Sequence, residues 1–181
     1  AKNKQQEGKM FRINIIILIL FGLFIYQQPC FAQTYKRDTV VIKALEGQIL
    51  RYRKAFLEDD AKTAIEMTHP ELREKMGGEA KMMASNQKSK EIRQQYKMSF
   101  VGLDYVLPDS ILVTDKSYQV AFPVQIPAKF EDGEITVDRK IMIAFGDIAS
   151  SAWYFLVVPS EGIEQVKAAL SFVDAKLAVP E

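Results

Sequence analysis

The sequence predicts an α+β domain in which N-terminal helices pack on a curved antiparallel sheet and one further helix closes the chain. Three observations carry this. Apolar residues recur at spacings of three and four over residues 41–96, the period changes to two from Met98 onward, and a three-four stripe returns at Ile163, Val166, Leu170, Val173 and Leu177. Helices, then hairpin-linked strands, then a helix form the order of an α+β layer arrangement rather than of alternating βα units.

The first 32 residues stand apart. Lys9 and Arg12 precede an apolar run over residues 13–26, Gln27-Gln28-Pro29 breaks it, and Cys30-Phe31-Ala32 follows with a small residue at each end. Basic end, apolar segment, break and small-residue site make up the layout of a secretory signal. The run contains Asn14 and Gly22 and is shorter than the roughly 20 apolar residues a spanning helix needs. Residues 10–32 are therefore expected to be a cleaved signal peptide, residues 1–9 an extension upstream of Met10, and residues 33–181 one exported domain, periplasmic or extracellular. Contact with a membrane would come only through an uncleaved signal. Cys30 is the only cysteine, so cleavage after Ala32 leaves no thiol for a disulfide, a nucleophile or a metal.

Asp38 suits the cap of a helix reaching to about Glu58, with Val41, Leu45, Ile49, Tyr52 and Phe56 on one buried stripe. Glu58-Asp59-Asp60 interrupts it and can cap a short helix holding Ala61, Ala64, Ile65 and Met67. Pro70 fits the first turn of another short helix, which Gly77-Gly78 ends. A longer, more polar helix over residues 79–96 would bury Met82, Met83, Ile92 and Tyr96.

Val101, Leu103, Tyr105 and Leu107 alternate along a first strand, and residues 111–113 form a short one. Residues 118–130 alternate most cleanly, with Val120, Phe122, Val124 and Ile126 on one face. Gln119, Pro123, Gln125, Pro127 and Lys129 lie on the other, and two prolines in one strand predict an edge position or a bulge. Asp132-Gly133 marks a hairpin turn into a strand over residues 135–145. Residues 152–158 are continuously apolar, which predicts a strand that is central or covered on both faces. The final helix is expected to run from Ile163 to Leu177, with Pro180 as its stop. The three apolar sets should meet in one core.

Charge narrows the partners. The chain has 24 basic and 23 acidic residues. Without Lys2, Lys4, Lys9, Arg12 and Glu7 the expected mature protein is slightly acidic. Nucleic acid is excluded, because phosphate binding needs a concentrated basic surface. Lys88, Lys90, Arg93 and Lys97 read as a solvated helix face.

Thr68-His69-Pro70-Glu71-Leu72 through Met76-Gly77-Gly78, then Lys81-Met82-Met83, together with the late Trp153-Tyr154-Phe155, resemble an uncharacterised exported bacterial branch of the nuclear transport factor two-like (cystatin-like cone) superfamily. The resemblance covers most of residues 41–158. It implies helices set against a cone-like sheet. It implies no activity, since that superfamily hosts enzymes, ligand binders and interaction domains.

The chemistry is sparse. His69 is the only histidine, so no histidine-based metal cluster can form, and a hydrogen bond across the turn before Pro70 is its simplest role. Asp59 and Asp60 read as a helix break and cap. Enzymes of the resembled superfamily place carboxylates, phenols or histidine inside the cone. Tyr52, Tyr96, Asp104, Tyr105 and Tyr118 are the residues that could stand there, yet none lies in a catalytic motif. Arg139 falls in register with Ile135, Val137, Ile141, Ile143 and Phe145. A charge on an apolar strand face lines a cavity, pairs with an acid, marks a register shift by a bulge, or lies exposed at a strand end.

Arg139, with Tyr52 and Tyr96 as neighbours, is therefore the expected ligand site, and no catalytic residue, metal or cofactor is expected. The expected function is an exported, non-enzymatic domain that binds a small ligand or a protein, a second copy through the exposed sheet face included. The alternative is a small isomerase or cyclase working by acid/base chemistry inside the cone.

Intact-mass measurement of protein recovered from its host is expected to begin at Gln33. Recovery of the apolar run in a membrane fraction would contradict this.

Overall fold

The computed structural model describes residues 34–179. The readings of residues 1–32, and the stop at Pro180, lie outside the described residues.

Local chemistry starts each helix where the sequence places it. Asp38 accepts hydrogen bonds from the amides of Val40 and Val41 and opens α1 (Thr39–Leu57). Asp60 accepts from the Thr63 amide and opens α2 (Ala61–Glu66). Pro70 occupies the first turn of α3 (Pro70–Lys75), and α4 (Gly78–Gln95) follows directly. Helix α4 buries only Met82; Met83, Ile92 and Tyr96, expected inside, are exposed, Tyr96 to 66 %. The helix leans mainly on α2 and α3 rather than on the sheet, so one narrow contact stripe suffices.

The sheet is antiparallel, curved and unclosed, in the order β1-β4-β5-β6-β7, with β2 and β3 also paired to β5. It comprises β1 (Thr34–Lys36), β2 (Ser99–Phe100), β3 (Asp104–Tyr105), β4 (Ile111–Val113), β5 (Ser117–Lys129), β6 (Ile135–Asp147) and β7 (Trp153–Val158). Strand β1, against β4, was not legible in its three residues. The α+β class with helices on a curved antiparallel sheet and a C-terminal helix holds.

The strand expected over residues 98–107 is broken, for a local reason. Phe100 opposes Ala128 while Tyr105 opposes Val124, so the first chain carries one extra residue between these pairs, a β-bulge. Gly102 sits there, and a Cβ on it would lie 2.9 Å from Pro127 Cγ. The bulge shifts the alternation. Phe100 stacks on Phe56 and Leu103 is fully buried, whereas Val101, expected inward, is exposed.

Strand β5 does not lie at an edge. It is flanked by β6 along its whole length and by β2, β3 and β4 on its other side. The Pro127 carbonyl accepts from the Val101 amide, so Pro127 faces the broken side, and Pro123, four residues away, faces it too. The missing donors thus fall where the ladder is already interrupted.

Strand parity divides the apolar residues into two cores instead of the single one expected. Phe122, Met142, Ala144, Trp153 and Phe155 face α1, packing with Leu45 and Ile49. Ala121, Ile141, Ile143 and Phe145 face the other way, under Ile163, Leu170, Val173 and Leu177. The chain passes between the two sides at β7, the end strand of the sheet, where Phe155 N–H donates to the Met67 carbonyl at 2.8 Å. Covering on both faces, not a central place, is what the apolar run of β7 reflects.

The C-terminal stripe is buried as expected, but not as one helix. Helix α5 (Ile163–Ala169) ends at Leu170, which is extended (φ −111°, ψ 115°). Gln119 intervenes: its amide donates to the Phe172 carbonyl and its oxygen accepts from Asp174 N–H, both at 2.9 Å. Those backbone groups are thereby taken from helical partners.

The cover ends short of Arg139. One-to-one pairing keeps Arg139 opposite Gln125 and on the face of Ile141 and Ile143, so its register was read correctly. The outer half of the β5–β6 hairpin nevertheless extends past the tail, and Ile135 (56 %), Val137 (50 %) and Arg139 are exposed.

Phe122 is completely buried. Phe122→Ala is expected to cost about 3–5 kcal/mol in denaturant unfolding; a loss below about 1 kcal/mol would contradict its place in the core.

Candidate functional site

The three residues expected to form a site do not meet. Arg139 is exposed on one sheet face. Tyr52 packs on the opposite face, its ring 5.1 Å from Phe155, and burial pushes its hydroxyl up to about 12. Tyr96 caps α4 in solvent. The space between α1 and the sheet is filled, with Ile49, Leu103, Phe122 and Met142 at 0–1 % exposure.

The site lies where no motif marked it. A cleft of about 670 Å³ opens beside the C-terminal tail, with His69, Phe145, Tyr154 and Phe172 among its lining and Asp115, Asp147 and Asp174 on its polar side. Helix α3 sets His69 at its N-cap position, where the side chain makes no capping bond. The imidazole stacks on Phe172 at 3.6 Å between centroids and 15°, with Tyr154 and Phe145 edge-on at 5.2 and 6.2 Å. Its Nδ1 is buried and has no hydrogen-bond partner. The bond expected across the turn is replaced by aromatic stacking.

Polar contacts hold the walls. Gln119 is 3 % exposed, although strand alternation put it on the solvent side. Besides its two tail contacts it donates to Ser117 Oγ at 2.9 Å, so its buried amide is satisfied. Thr114 Oγ1 accepts from the Ser117 and Lys116 amides and shapes the neighbouring turn. From α3, Glu71 accepts from Ser171 Oγ at 2.6 Å and pairs with Lys75 Nζ at 2.9 Å, and Lys75 also reaches the Ala169 carbonyl at 2.6 Å. At the end of β6, Asp147 accepts from Ser150 Oγ and from the Ala149 amide.

These contacts fix the charges. Ser150 and the Ala149 amide lower the Asp147 carboxyl. The Ser171 hydroxyl first, then Lys75, hold Glu71 down at about 2. Burial lowers His69, with Arg73 adding to the effect while Glu71 and Asp147 oppose it. The cleft thus pairs a neutral imidazole with the ionised carboxylate of Asp147. Chemically it offers an aromatic surface, hydroxyl groups and negative charge.

A second cleft of about 350 Å³ between the α1–α2 junction and α4 holds Arg93. That guanidinium is engaged by Asp59 and lies over the Phe100 ring at 5.0 Å. Among the described residues no group of three or more His, Cys, Asp or Glu side chains could hold a metal, and no helix is long and apolar enough to cross a membrane.

His69 was visible in the sequence, but its partners come from β6, β7 and the tail, each distant along the chain. The one usable signal was Gln119, an amide within a strand otherwise rich in buried residues.

The three lowered groups, His69, Glu71 and Asp147, make the fold acid-sensitive. A group whose folded pKa lies below its unfolded one adds stability above the unfolded value and loses it as pH falls. The unfolding temperature should therefore decline as pH drops below about 6.5, from His69, and again from about 4.5 towards 2, from Glu71 with Asp147 adding to it. His69→Phe, which keeps the stack, is expected to remove the upper decline, and Glu71→Gln to shrink the lower. An unchanged upper decline in His69→Phe would assign it elsewhere.

No protein-family model matches the chain, and no curated protein or solved structure matches it either.

Proposed function

We propose that this chain is an exported, non-enzymatic binding domain of the nuclear transport factor two-like kind, and that it holds a small ligand in the His69 cleft. The observation that carries the reading is the cleft itself. It is about 670 Å³, within the range of small-molecule sites, and it combines aromatic walls with a few convergent polar groups. Its buried His69 Nδ1 lacks a partner. Export is supported by the order of basic, apolar and small residues ahead of residue 33. The superfamily reading is supported by the sequence resemblance and by a long first helix packed on a curved antiparallel sheet.

The enzyme alternative required room for acid/base chemistry between the helices and the sheet. That space is occupied by apolar side chains, which favours binding over catalysis there.

A fragment screen followed by amide chemical shifts tests the reading. Hits are expected to move Ser117, Gly146, Asp147 and Phe172 together, while amides of the outer hairpin near Arg139 stay still. A screen whose hits avoid the cleft, or cluster around Arg139, would overturn it.

A further inference from the structure

We propose that the ligand of the His69 cleft is a small organic cation with a flat aromatic body. The proposal rests on the preceding reading that the cleft binds a small molecule, and names its chemistry.

Charge is the first argument. Asp115, Asp147 and Asp174 line the cleft against a single cation, Lys116. Beyond the lining, Glu71 is paired with Lys75, and Arg73 is the remaining charge felt by His69. Asp147 is fixed in place by Ser150 and the Ala149 amide, so its charge is preorganised rather than recruited on binding. An anion would meet carboxylates at close range, whereas a cation is drawn to a lining with more carboxylates than cations.

Shape and surface give the second argument. Tyr154 and Phe172 supply partly exposed aromatic surface, backed by the buried Phe145, suited to a flat ring and to a cation lying over a ring face. The aromatic rings are held by one another and by His69, with Phe145 and Phe172 edge-to-face at 4.7 Å. The neutral imidazole adds no positive charge to repel the ligand.

Three molecules that share a phenol ring and differ only in the side-chain head separate the possibilities: tyramine (cationic), tyrosol (neutral) and 4-hydroxyphenylacetate (anionic). Each is titrated at pH 7 and low salt, with the cleft amides as readout. Tyramine is expected to bind about tenfold or more tighter than tyrosol, and 4-hydroxyphenylacetate weakest. Added salt should narrow the gap. Asp115 lines the cleft from an exposed turn, and Asp115→Asn is expected to weaken tyramine severalfold while tyrosol, which carries no charge to pair with it, loses less. Equal binding of tyramine and tyrosol, or preference for the acid, would overturn the cationic class. If fragments fill the cleft and tyramine does not, the class also fails while the binding reading stands. If neither enters, that reading falls with it.

Discussion

The pairing of β5 with β6 is the constraint on which the other elements depend. Thirteen consecutive residue pairs run without a bulge from Ser117–Asp147 to Lys129–Ile135, closed by a tight turn in which Phe130 N–H donates to the Glu134 carbonyl. Because successive side chains alternate, this single register assigns every residue of both strands to one sheet face or the other. From Ile141 onward, even-numbered residues of β6 face α1 and odd-numbered ones face the C-terminal tail. A slip by one residue would exchange both cores at once. The bulge at Gly102, the short strands β2 to β4 and the two prolines all lie on the other flank of β5, where irregularity leaves that assignment intact.

The tail turns a sheet with one covered face into one covered on both, and does so by polar as well as apolar means. Gln119 serves three hydrogen bonds from a nearly dry position, offsetting the cost of burying an amide. Glu71 and Lys75 tie the same segment from the opposite side. Phe172 is thereby set between His69 and Phe145, and the cleft forms beside it. The concavity thus follows from the helix ending at Leu170.

Elements governed by local chemistry were legible in the sequence. The caps at Asp38 and Asp60, the first-turn Pro70, the Asp132-Gly133 hairpin and the long alternation of β5 each have a cause within a few residues. What escaped depends on distant segments. The extra residue at Gly102 is visible only against β5. The burial of Gln119 and the short α5 explain each other across more than fifty residues. Arg139 was placed on the correct face, yet its exposure depends on how far the tail reaches. The His69 cleft combines five separate segments, none of which carries a motif.

Gly146 joins the two sides of the sheet in another way. It lies opposite Trp153, and a Cβ on it would stand 2.8 Å from the indole. The same glycine lines the cleft on the reverse face, so a single backbone layer separates the two. Trp153 is the chain's only tryptophan and is held stacked with Tyr118. Its fluorescence therefore comes from one environment, without background from a second indole. The molecule carries a built-in optical reporter within contact distance of the cleft wall, and occupancy of the cleft can be read as a change in intrinsic emission without attaching a label.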